Sequence, residues 1–71
     1  MKKIDIINIC NTVIALINNN AEDYRIKDEI KILSDNYPFL TPYTKLEFFS
    51  WADKNNLIEN MKFIKRNVIK S

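Results

Sequence analysis

Glu22, Asp23, Asp28 and Glu29 come nearest, by type and spacing, to reaction chemistry. Paired carboxylates can divide acid and base roles when burial drives their pKa values apart. Here Arg25, Lys27 and Lys31 are interleaved with them, and Asp23 stands four positions before Lys27, the spacing of an exposed helical ion pair. Such pairs contribute only about 0.2–0.5 kcal/mol each, so the cluster reads as the solvated side of an amphipathic helix. Histidine is absent and Cys10 is the one cysteine, which removes the usual parts of a Ser-His-Asp triad, a Cys-His pair or a zinc site. There is no Asp-x-Asp-x-Asp-Gly calcium loop, and without any glycine there is no Gly-rich phosphate cradle. The expectation is a non-enzyme with no catalytic residue, no metal site and no cofactor.

Two other groups are suited to binding. The run Phe48-Phe49-Ser50-Trp51 cannot face one way on a helix, because consecutive residues point about 100° apart. At least one large ring must lie near the surface, and with Tyr43 close by, Tyr43, Phe48 and Trp51 are the expected contacts with a protein partner. The competing reading is a small core that wraps these rings from both sides. Lys54, Lys62, Lys65, Arg66 and Lys70 face a single acid, Glu59, toward the C-terminus. Cations there complement a helix dipole without any ligand, whereas Lys62, Lys65, Arg66 and Lys70, helped by Asn67, could instead meet a nucleic-acid backbone. A helix-turn-helix built on an Asn55-Asn56 turn fails, since Lys62 and Lys65 occupy positions that should pack the motif.

The elements that must position these residues are helical. Turns needing positive φ normally draw on glycine, so its absence argues against a sandwich or barrel and for helices joined by Asn, Pro and Thr. Asp5 is expected to cap a first helix, in which Ile6, Ile9, Cys10, Val13, Ile14 and Ile17 form the apolar face, broadened by Ile7 and Leu16. That width places the helix at the centre of the core. Asn18-Asn19-Asn20 ends it, because Asn tolerates the left-handed conformation. The spacing Asn20-Ala-Glu-Asp23 matches a capping box opening a second helix, whose stripe is Ile26, Ile30, Leu33 and Tyr37 and which Pro38 stops near Asn36 or Tyr37. Pro38-Phe-Leu-Thr-Pro42 reads as a packed corner, and Thr44-Lys-Leu-Glu47 as the capping box of a third helix carrying Leu46, Phe48, Phe49, Trp51 and Ala52. Asn55-Asn56 is the expected turn before a fourth helix with the stripe Leu57, Met61, Ile64 and Val68, although one unbroken helix from about Thr44 to Ile69 is the alternative.

The reading is therefore all-α: a compact bundle of three to four short helices forming a single small domain over residues 1–71. The balanced charge, net +2, and the 46% hydrophobic content fit a folded chain. A core of this size supplies only about 3–5 kcal/mol, so a larger protein partner or self-association is the natural source of further burial. Met-Lys-Lys followed by Ile4 to Ile17 superficially matches a secretory signal, but Asp5, Asn8 and Asn11 interrupt it, and it is shorter than the about 20 apolar residues of a membrane span. One cysteine suits a reducing, cytoplasmic setting, with Cys10 packed as a small apolar residue. The heavy use of Ile, Asn and Lys, all with A/T-rich codons, points to an A/T-rich genome such as that of a phage, plasmid or low-GC bacterium. Together these features suggest a phage- or mobile-element-type regulator that inhibits or redirects a larger protein. The alternative is a small nucleic-acid-binding transcriptional regulator using its basic C-terminal helix.

Overall fold

Lys2 holds an extended backbone (φ −93°, ψ 167°), and α1, Lys3–Asn18, begins at the next residue of the computed structural model, which describes residues 2–38 and 51–70. Asp5 is thus the third helical residue and does not cap from outside, as the sequence suggested. Its carboxylate turns back to accept the Lys2 amide at 2.7 Å. An acid placed there satisfies an amide that the helix cannot and also lies in the positive first turn, so the helix gains residues ahead of Asp5.

The end of α1 follows the asparagine reading closely. Asn20 takes φ 55°, the one positive φ among the described residues. The Ala21 amide donates to the Leu16 carbonyl at 2.9 Å and the Asn20 amide to Ile17 at 3.1 Å, the paired bonds of a Schellman motif. Asn19 adds a side-chain bond to the Ala15 carbonyl at 2.9 Å.

This use of Asn20 overturns the expected capping box. A residue in the left-handed region cannot also supply the extended backbone that an N-cap needs. Glu22 takes the position instead (φ −61°, ψ 144°), without a side-chain cap bond, and α2 runs Asp23–Asn36. It stops where Pro38 demands, with Tyr37 at φ −133°, ψ 74°.

The Asn55-Asn56 turn is absent. Both residues lie inside α3, a continuous helix over Trp51–Lys70, so the described residues form three helices and the fourth is a continuation of α3. Asn costs a helix interior at most about 0.7 kcal/mol relative to Ala. Burial of Leu57, Met61 and Ile64, with Lys54 fixed one turn earlier, outweighs that cost. The helix-turn-helix idea falls with the turn. Tyr43, Leu46, Phe48, Phe49 and the Pro38–Pro42 corner beyond Pro38 itself lie outside the described residues.

α1 packs against both other helices. Ile6, Ile9, Cys10, Val13 and Ile17 are buried and Ile14 and Leu16 half-buried, which bears out the central role that its wide apolar face implied. α2 contributes Ile26, Ile30 and Leu33, and α3 contributes Leu57, Met61 and Ile64, with Tyr37 and Val68 at the margin. Two polar links set the direction of α3. Lys54 meets Asp23 at 2.9 Å, at the start of α2, and Lys65 meets Asn11, midway along α1. α2 starts a short turn after the end of α1, and α3 passes from the start of α2 at Lys54 to the middle of α1 at Lys65, so α3 runs antiparallel to α1. The radius of gyration is 11.1 Å, and about 11 Å is expected for a compact chain of this length. No strand occurs among the described residues, and no described helix is long and apolar enough to cross a membrane.

Candidate interaction surface

Trp51 is the first described residue of α3 and is 62% exposed. One turn further on, Lys54 reaches across to Asp23 and brings the start of α3 beside the start of α2. Tyr24, next to Asp23, is 60% exposed, so two aromatic rings face solvent at the same end of the bundle. Each is held on a helix whose opposite side is locked into the core. Tyr24 was legible as the α2 residue off the Ile26, Ile30, Leu33, Tyr37 stripe, but only the Lys54–Asp23 pair shows that it shares an end with Trp51. Tyr43 and Phe48, the other expected partner contacts, lie outside the described residues.

The four cations expected at a nucleic-acid backbone have different surroundings in the fold. Lys65 is half-buried and donates to the Asn11 side chain, so it serves the fold. The Lys62 ammonium lies 3.6 Å from Glu59. Arg66 and Lys70 are exposed, and with Lys62 they step by four along the outer side of α3. The Asn67 amide donates to the Phe63 carbonyl at 2.8 Å, as a helical asparagine can when its own helix offers an acceptor four residues back.

The carboxylate cluster is divided by the fold. Asp23 pairs with Lys54 of another helix, which the tertiary arrangement brings to the exposed first turn of α2. Glu22 is the exposed N-cap, Asp28 is exposed and Glu29 is half-buried. Among the described residues no group of three or more Cys, Asp or Glu is placed to hold a metal ion.

Cys10 is fully buried and free. Burial pushes its thiol up from 9.0 to about 11, with the nearby Lys65 charge and a backbone hydrogen bond pulling less strongly the other way. That is the reverse of what activates a nucleophilic thiol.

No protein-family model matches the sequence, and no curated protein and no solved structure matches it.

Proposed function

We propose that the protein is a small non-catalytic interaction module that docks on a larger protein through the end carrying Trp51 and Tyr24. The exposure of Trp51 on a core-anchored helix carries this reading. Trp and Tyr are the side chains that most often dominate binding energy, because a rigid ring buries a large area for little entropy. Held this way, they reach a partner without a folding step of their own. The same reading makes the protein a regulator that inhibits or redirects its target by occupying a surface. Affinity capture of the tagged protein from lysate of its native host, with and without nuclease and alongside Trp51→Ala, tests it. One stoichiometric protein that survives nuclease and is lost with Trp51→Ala supports docking through this end. Recovery that vanishes with nuclease, or that ignores Trp51→Ala, overturns it.

The broad apolar face that motivated self-association is covered within the chain by α2 and α3. Burial at an outside partner therefore has to come from the exposed side chains, and Trp51 is the largest of them.

A further inference from the structure

The antiparallel packing of α1 and α3 sets the start of one helix beside the end of the other. From the Lys65–Asn11 link, Ile4 lies seven residues back along α1 and Ile69 four residues on along α3. At helical rise these are roughly 10 Å and 6 Å toward the same pole. There Ile4 is 56% exposed and Ile69 68% exposed. Lys2, Lys3, Arg66 and Lys70 are exposed toward the same end of the two helices. Residues 60–70 contain no acid. Among the described residues, Asp5 is turned onto the Lys2 amide and Glu59 lies beside Lys62.

We propose that this pole binds the surface of an anionic lipid bilayer. Scattered exposed aliphatic residues are ordinary, but branched aliphatic chains set toward one pole with cations have the composition of interfacial surfaces, where the apolar groups enter the headgroup boundary and the cations stay among phosphates. Each Lys or Arg near such a surface raises partitioning about fivefold. A nucleic-acid backbone would engage the same cations and leave Ile4 and Ile69 in water. Attachment is peripheral, since no described helix can span a membrane. The pole is at the far end of α3 from Trp51, so it operates independently of the protein-docking end.

Sedimentation of the full chain with phosphatidylcholine vesicles, with and without phosphatidylserine, tests the proposal. The expected result is binding to the phosphatidylserine vesicles alone, weakened by salt. The double variant Arg66→Ala, Lys70→Ala should lower partitioning by roughly 25-fold, from about fivefold per cation. The double variant Ile4→Asn, Ile69→Asn should lower it by about tenfold or more. All four side chains are exposed, and circular dichroism melting establishes that each variant is folded. Trp51→Ala should bind vesicles as the parent does. Equal binding to both vesicle types, no vesicle binding, indifference to the isoleucine changes, or binding to a single-stranded oligonucleotide in place of vesicles overturns the proposal.

Discussion

The Lys65 ammonium donates a hydrogen bond to the Asn11 side-chain carbonyl across 54 positions of sequence, joining the basic half of α3 to the middle of α1. One cation of an apparent phosphate-binding run is thereby given to the fold, and its charge stands near the Cys10 thiol.

Removing either partner leaves the other exposed enough to find water, so the loss should be modest. Asn11→Ala and Lys65→Met are each expected to cost about 0.5–1.5 kcal/mol. The double variant should cost less than the sum, because the second change removes a bond already lost. Urea unfolding of the four proteins checks this.

Alkaline pH should weaken the fold through Cys10. Well below pH 9 the thiol is protonated in both states and contributes no pH dependence. As pH rises from 9.0 toward about 11, the unfolded chain releases a proton that the folded chain keeps, so stability falls with pH and levels off above the folded value. The loss is on the order of 1–3 kcal/mol at its limit. Unfolding of the parent and Cys10→Ala from pH 8 to pH 11 should show the parent falling more steeply by that amount. Thiol-specific reagents should label Cys10 only when the chain unfolds.

Asn20 is the place where this glycine-free chain needs a left-handed residue. Asn20→Gly should raise stability by a few tenths of a kcal/mol, whereas Asn20→Val should lower it by about 1–2 kcal/mol, as Cβ meets the following carbonyl. Thermal melting followed at a helical band distinguishes the two directions.

Met61 is fully buried at the centre of the α3 contribution to the core. Met61→Ala should cost about 2–5 kcal/mol, comparable to the whole stability of a core this small, about 3–5 kcal/mol. Loss of cooperative melting is the expected result. A variant that melts like the parent would show that the site collapses around the smaller side chain.

The stripes of the three helices were legible in the sequence because they depend on helical periodicity, a local property that survives any tertiary arrangement. Ile6 to Ile17, Ile26 to Leu33, and Leu57 to Ile64 are buried where their spacing put them. The fate of single asparagines was less legible. Asn20 turns while Asn55 and Asn56 do not, and intrinsic preference differs too little among these positions to say so. Burial of Leu57, Met61 and Ile64 after Asn55-Asn56, with Lys54 held before them, decided the second case, and the Ala21 and Asn20 bonds back to α1 decided the first. Which charges are available was likewise a tertiary matter. Lys54 goes to Asp23 and Lys65 to Asn11 because antiparallel α3 carries them there. Sequence by itself determined that the chain is helical and which faces are apolar, since these follow from residue type at a 3.6-residue period. The direction of α3, the sharing of one end by Trp51 and Tyr24, and the placing of Ile4 and Ile69 toward one pole came only from packing, because they depend on which helix buries which face.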